Sequence, residues 1–238
     1  MANPIAYASY QALADSYAEL APNKDYNAHY DRPAILALLD DLRGQNVLDA
    51  GCGPGIYTEL LLQRSARVTG IDISERMLFH ARQRNGDRAR FLKADLEEPL
   101  TAFQNAEFDG ILSALAITYV KDLAALFREF LRLIKPQGWL VFSTEHPFFA
   151  HGYFKIDNYF ETQPVSCLWR GFNNTPIEMP GYYHSLGCIC DGLTSNGFYI
   201  ERLLEAKPTL EFQKQDPQGY EKRLKFPAFI HIKARRKG

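Results

Sequence analysis

The chain is short of cysteine. Cys52, Cys167, Cys188 and Cys190 are spread over 238 residues and form no CxxC pair and no His/Cys spacing of a zinc ligand set. A zinc or redox site therefore has little support. The four are read as buried thiols, with Cys188 and Cys190 on different faces of a helix. Excess charge of either sign is also missing: 27 Lys+Arg stand against 28 Asp+Glu. No global field favours nucleic acid or an anionic membrane. The one basic run, "KARRKG" at the end, reads as a solvated tail. No stretch approaches the ~20 apolar residues needed to span a bilayer. "MANPIAYASYQALADSY" lacks the charged-then-apolar plan of a signal peptide. A cytoplasmic location is the expectation. No Gly/Ser/Pro-rich linker divides the chain, so 1–238 is expected to be one domain.

What is present from residue 45 onward is an alternation of short apolar runs with amphipathic helices, the mark of βαβ units and a parallel sheet. "NVLDA" (46–50), "RVTGI" (67–71), "RFLKA" (90–94), "FDGILSA" (108–114) and "WLVFST" (139–144) read as five strands. "FYIERLLEA" (198–206) and "FPAFIHIKA" (226–234) read as a sixth and seventh. Pro227 suits an edge or strand-start position. Ser74 and Gly86 are spaced as N-cap and terminator of the helix "SERMLFHARQRNG". In "DLAALFREFLRLIKPQG", Leu123, Leu126, Phe127, Phe130, Leu131 and Ile134 fall at helical spacing before Pro136 and Gly138. Residues 146–185 interrupt the alternation with a long aromatic insertion, expected as an ordered functional loop.

Between the first strand and its helix stands "VLDAGCGPGIYTELL" (47–61), with Gly51, Gly53 and Gly55 two apart. Glycines there permit a tight turn and let a ligand approach the backbone at a helix N-terminus. A nucleotide-containing cofactor is the first candidate. The dinucleotide fingerprint GxGxxG is incomplete, because Ile56 stands where its third glycine would fall. Asp72, closing the second strand, can accept bonds from both hydroxyls of a ribose, or serve as an N-terminal helix charge. Asp95, after the third strand, can accept from an adenine amino group or be a plain loop carboxylate. Asp49, the glycines, Asp72 and Asp95 together mark the C-terminal ends of three successive strands, where open α/β sheets bind ligands.

On these residues the sequence resembles the class I S-adenosylmethionine-dependent methyltransferases, over about residues 45–145 and more loosely beyond. "VLDAGCGPGIYTELL" is similar to the family's first motif, "VTGIDISERML" to the second, "KADLEEPL" to the adenine-contacting segment and "FDGILSALAITYV" to the fourth. The resemblance implies a Rossmann-like α/β three-layer sandwich, with a seven-stranded, mostly parallel sheet whose last strand is antiparallel. It implies S-adenosylmethionine as cofactor. Asp49, Gly51, Cys52, Gly53 and Gly55 would surround its methionine part, with Asp72 on the ribose, Ile73, Met77, Asp95 and Leu96 beside adenine, and Ser113 to Leu115 near the methyl. The divisions it suggests are 1–43 as N-terminal helical cover, 44–145 as cofactor-binding core, 146–185 as aromatic insertion over the substrate, and 186–238 as C-terminal helix and strands. A closer similarity is to the small-molecule subgroup around quinone biosynthesis. Thr118 stands where that subgroup frequently has histidine, and the Asp/Asn-Pro-Pro-aromatic tetrapeptide of amino-directed DNA methyltransferases is lacking.

The expected reaction is methyl transfer to an O, N or C atom of a small, apolar or aromatic molecule, with no metal, no nucleic acid and no membrane insertion. A homodimer is left open. Two other readings stay open: a nicotinamide-dependent oxidoreductase, on the same glycines and Asp72, and a non-catalytic cofactor-binding protein, on Thr118. The candidate base is His146, because the end of the fifth strand borders the crevice and histidine as a residue type is suited to accept a proton, with Glu145 as the weaker alternative. Pocket walls are expected from Phe148, Phe149, Tyr153 and Trp169, with His184 facing the same space or capping a helix. Tyr10, Tyr17 and Tyr30 are expected to help close the cofactor site.

Overall fold

The structure is a computed structural model that describes residues 4–172 and 176–238; residues 1–3 of the expected cover and 173–175 of the insertion lie outside the described residues. The chain runs α1 (Tyr7–Leu20), α2 (Arg32–Leu36), β1 (Asn46–Ala50), α3 (Ile56–Gln63), β2 (Arg67–Asp72), α4 (Glu75–Asn85), β3 (Ala89–Lys93) and β4 (Phe108–Ala114). It continues through α5 (Leu123–Leu133), β5 (Ile134–Glu145), α6 (Pro147–Phe154), β6 (Gln163–Trp169), β7 (Ile177–Tyr183) and α7 (Leu186–Thr194). β8 (Phe198–Leu204), α8 (Leu210–Gln215), α9 (Pro217–Lys225) and β9 (Phe229–Arg236) complete it.

Seven strands form one sheet in the order β3-β2-β1-β4-β5-β9-β8. β1 to β5 pair in parallel, while β9 is antiparallel to both β5 and β8. The last strand therefore sits inside the sheet, and Pro227 lies just before it, outside the ladder it would have interrupted. Side chains alternate between two cores. Leu48, Ile111, Leu140 and Phe142 meet Leu126, Phe127 and Phe130 of α5 on one face. Val47, Leu112 and Val141 meet Ile35 and Leu61 on the other. Each fully buried phenylalanine of α5 contributes about 1.5–3 kcal/mol by leaving water. Ser74 caps α4 as expected, its Oγ accepting from Met77 N–H at 3.2 Å, and Asp122 caps α5, its Oδ1 accepting from Ala125 N–H at 2.9 Å.

Three expectations are corrected. α5 stops at Leu133, not at Pro136, and Ile134 already pairs with Phe108 in β5. The residue before a proline avoids helical backbone, so Lys135 cannot extend the helix. Residues 135–138 instead bulge opposite Asp109, which Lys135 Nζ reaches at 2.7 Å. The insertion at 146–185 is no loop: it supplies α6 and an antiparallel β6–β7 pair running from Gln163↔Tyr183 to Trp169↔Ile177. Of the cysteines only Cys52 is buried; the other three are free thiols in half-buried positions.

Candidate cofactor and acceptor sites

Strand order reverses at β1, which has β2 on one side and β4 on the other. A crevice opens outside their carboxyl ends, the position at which such sheets bind ligands. Its lining includes Gly51, Gly53, Asp72, Ile73, Met77, Asp95 and Leu96, and Tyr7, Tyr10 and Tyr17 of α1 close it from above. Gly51 has φ +79°, and a Cβ there would stand 2.4 Å from Ala116 Cβ. At Gly53, φ is +52° and nothing lies within 4 Å of where a Cβ would be, so the cleft keeps open space against bare backbone. Gly55 does something else. A Cβ there would meet Asn85 Nδ2 at 2.5 Å, and that amide donates to Gly55 O at 3.0 Å and Ala81 O at 3.1 Å. The third glycine lets α3 and α4 approach and is absent from the cleft lining.

Asp72 joins the glycine loop to α4. Its Oδ2 accepts from Gly53 N–H and its Oδ1 from Ser74 N–H, both at 2.9 Å. One lone pair on each oxygen remains for ligand hydroxyls. Burial pushes its carboxyl up to about 6, while the amides of Ser74, Gly53 and Ile73 pull it down. Asp49, Cys52 and Ser113 lie behind the lining. Asp49 Oδ2 accepts from Thr58 Oγ1 at 2.6 Å, and burial, reinforced by the Asp72 charge, raises it to about 7. Cys52 packs among Leu78, Ala81 and Phe91. Ser113 Oγ donates to Ala50 O at 2.9 Å, tying β4 to β1.

Tyr10, Tyr17, Leu115 and Tyr119 line this cleft on one side and a second, aromatic groove on the other. The Tyr10 and Tyr119 hydroxyls meet at 2.8 Å. Leu115 holds φ +52°, with its N–H shared between Ser143 O at 3.0 Å and Ser143 Oγ at 3.2 Å. Such a conformation on a residue with a Cβ marks strained backbone of the kind that clusters at functional sites.

Phe149, Tyr153 and Trp169 line the groove with Phe172, whose ring stacks on Tyr17 at 5.0 Å. Phe148 points to solvent, 63% exposed. Tyr30 is buried elsewhere and accepts from Ala228 N–H at 3.0 Å. His184 lies in a separate small cavity with Thr118, where Nε2 donates to Val120 O at 2.9 Å. Burial lowers it to about 4, which keeps it neutral. His146 also lies outside both linings. It caps α6, Nδ1 accepting from Phe148 N–H at 3.1 Å, and Nε2 faces Glu205 Oε1 at 2.7 Å. With both ring nitrogens engaged, it has none to offer an acceptor. Its neighbour Glu145 lines the groove, and burial raises its carboxyl above the usual range while the Thr118 and Thr144 hydroxyls oppose the shift. Glu145 is the last residue of β5 and lines the groove, whereas His146 leaves the strand to cap α6.

This is an α/β architecture with a cleft at its topological switch point and an aromatic groove beside it. Residues 48–142 match the family model described as "Methyltransferase domain". An uncharacterized protein of Haemophilus influenzae is 28% identical, covering 99% of each chain. The malonyl-[acyl-carrier protein] O-methyltransferase of Erwinia pyrifoliae is 36% identical over 56% of this chain and 51% of its own, so the chain spans about half the length of that curated relative. The solved S-adenosylmethionine-dependent methyltransferase of Mesorhizobium loti superposes with a TM-score of 0.71 at 26% identity, over 91% of this chain and 100% of that one. Residues 48–142 are a methyltransferase domain, the fold is shared with solved S-adenosylmethionine-dependent methyltransferases, and S-adenosylmethionine is the cofactor that these findings support. Among the described residues no helix is long and apolar enough to cross a membrane.

Proposed function

We propose that the protein methylates a small organic acceptor bound in the aromatic groove, with Glu145 as the proton acceptor. The observation that carries this reading is the shared wall: Tyr10, Tyr17, Leu115 and Tyr119 separate the cofactor cleft from the groove. The cleft's residues fit the cofactor. The open space at Gly53 takes its methionine part, the spare lone pairs of Asp72 its ribose hydroxyls, and the slot of Ile73, Met77 and Leu96 its adenine, with Asp95 at the amino group. When bound, S-adenosylmethionine supplies a methyl on a positively charged sulfur, open to in-line attack, the C–S bond breaking with its electron pair left on sulfur.

The chain's own task is alignment and exclusion of water. The tyrosines of α1 cover the cleft, and the aromatic groove holds the acceptor beyond Leu115. Glu145 takes the acceptor's proton, and its raised pKa brings it nearer neutrality than an exposed carboxylate, as a general base requires. Calorimetric titration with S-adenosylhomocysteine and, separately, with NAD tests the cleft: binding of the first alone is expected, and binding of NAD alone would overturn the assignment. Release of S-adenosylhomocysteine across a panel of phenols, quinols, amines and carboxylic acids then tests transfer.

A further inference from the structure

Among the described residues the groove holds a buried cation with no counterion. Arg223 on α9 is 6% exposed, yet among the described residues no carboxylate pairs with it. Its Nε donates to Tyr26 Oη at 3.2 Å and its Nη1 to Phe226 O at 3.4 Å, while Nη2 makes no hydrogen bond to the protein. Nη2 is also not among the sealed, unpartnered atoms, which are Arg32 Nε and Asn85 Oδ1. The guanidinium stands 4.8 Å from the Phe149 ring centre and 5.8 Å from that of Tyr26, which hold it in place at the groove wall. Elsewhere the fold treats a buried cation differently: Lys233 reaches Asp40 at 2.8 Å and Glu201 at 3.1 Å. Buried charges are ordinarily paired, because desolvation is otherwise uncompensated.

The rest of the groove has the same bias. Lys24, Arg170 and Lys222 also line it, none of them in an ion pair among the described residues, and Glu145 is its one carboxylate. In a chain of net charge −1 this is a local concentration of positive charge. We propose that the methyl acceptor is an anion, a small molecule with an aromatic or apolar body and a carboxylate or phosphate group that Arg223 receives. Arginine suits this role because its planar fork matches both groups. The assignment rests on the methyl-transfer reading of the same groove.

The test uses the full chain saturated with S-adenosylhomocysteine, so that failure of the cofactor to bind is registered separately, before any acceptor is added. Matched probes are then titrated: 3-phenylpropanoate and indole-3-acetate, their amides, and phenyl phosphate. At least one anion binding about tenfold or more tighter than the corresponding neutral probe is expected, with the preference shrinking as NaCl rises from 50 to 500 mM. Phenyl phosphate above the carboxylates assigns a phosphate ester, and the reverse order a carboxylic acid. Arg223→Gln should bring acid and amide to near equality with S-adenosylhomocysteine affinity unchanged, and Arg223→Lys should retain part of the preference. Equal binding of acids and amides by the parent, no binding of any anion, or a preference that survives Arg223→Gln each overturns the proposal. The parent measurements stand on their own if Arg223→Gln fails to fold.

Discussion

The switch-point cleft and the aromatic groove, proposed to hold cofactor and acceptor, share a wall and are built from different materials. Main chain at the ends of β1, β2 and β4, held by Asp72 and two glycines, makes the floor of the first, with the tyrosines of α1 and Ile73, Met77 and Leu96 around it. Side chains from α6, β6, α9 and the segment before α2 make the second. The cleft encloses about 110 Å³ and the groove about 410 Å³. A site made of backbone fits one ligand, because each N–H and each missing Cβ has a fixed place. A site made of side chains on separate elements can change its occupant by substitution, without disturbing the sheet. The substrate side is therefore where relatives of one fold can part company.

The sharpest break of this comparison concerns two adjacent residues. Glu145→Gln should lower turnover about 10²–10⁴-fold, the usual range for a general base, and leave S-adenosylhomocysteine affinity alone. In the parent, turnover should be lost as pH falls through the raised Glu145 pKa, at higher pH than for an exposed carboxylate. His146→Ala should instead cost about 1 kcal/mol of stability as a lost helix cap, with turnover kept. Steady-state kinetics and denaturant melting of both variants decide between them, and equal turnover in Glu145→Gln and parent would remove the base.

Next in size is Gly51→Ala. Positive φ costs an L-residue roughly 1–2 kcal/mol, and the 2.4 Å approach to Ala116 adds overpacking of about 1–3 kcal/mol. A fall of about 2–5 kcal/mol in unfolding free energy is expected by urea titration. Gly53→Ala, with open space at the same φ sign, should keep most of its stability and lose cofactor affinity. If both variants lose only stability, the open space at Gly53 is not the cofactor's.

That pair also shows why the cleft was legible in the sequence. Gly51, Gly53, Asp72, Ile73, Met77, Asp95 and Leu96 sit at spacings imposed by strand–turn–helix geometry, and the structure brings them to one lining together with Tyr17. Gly55, Asp49, Cys52 and Ser113 fall in the same motifs but support the turn from behind, a distinction that spacing does not encode. The groove was legible only in part. Phe149, Tyr153 and Trp169 come from the aromatic insertion, but Tyr26, Lys222 and Arg223 come from segments about 200 residues apart, brought together by β9 returning into the sheet. Nothing local marks them. The strands from 46 to 114 were readable to within a residue or two, because parallel β-strands buried on both faces are continuous apolar runs. β6 and β7 were not, since their half-exposed pairing lacks that signature.

Asp72 gives a smaller effect with two readouts. Asp72→Ala should weaken S-adenosylhomocysteine binding by about 1–3 kcal/mol through partners left unmet. Unchanged affinity rejects its place at the ribose. Its pKa, about 6, and that of Asp49, about 7, both lie above the ordinary carboxylate range. Between pH 4 and 7 the folded chain thus holds protons that the unfolded chain has released. Stability should fall as pH rises through this window, by up to about 1.4 kcal/mol per pH unit for each group, and flatten above it. Cofactor hydroxyls favour the ionised form of Asp72, so binding at pH 6 should release protons. Calorimetry in buffers of different ionisation enthalpy would detect them, and an enthalpy independent of buffer would oppose the assignment.

The mildest expected change lies in the shared wall itself. Tyr10 and Tyr119 are both held neutral, because burial pushes each phenol well above its ordinary value. Their 2.8 Å contact is therefore a single hydrogen bond between neutral hydroxyls. Tyr119→Phe removes it and leaves the Tyr10 hydroxyl without that partner, a cost of about 0.5–1.5 kcal/mol in stability. The ring remains, and with it the 5.3 Å edge-to-face packing that separates cleft from groove. Cofactor and anion affinities should each change by less than about threefold. A large loss of one alone would show that the hydroxyl serves that ligand directly, and the wall would then belong to one site rather than to both.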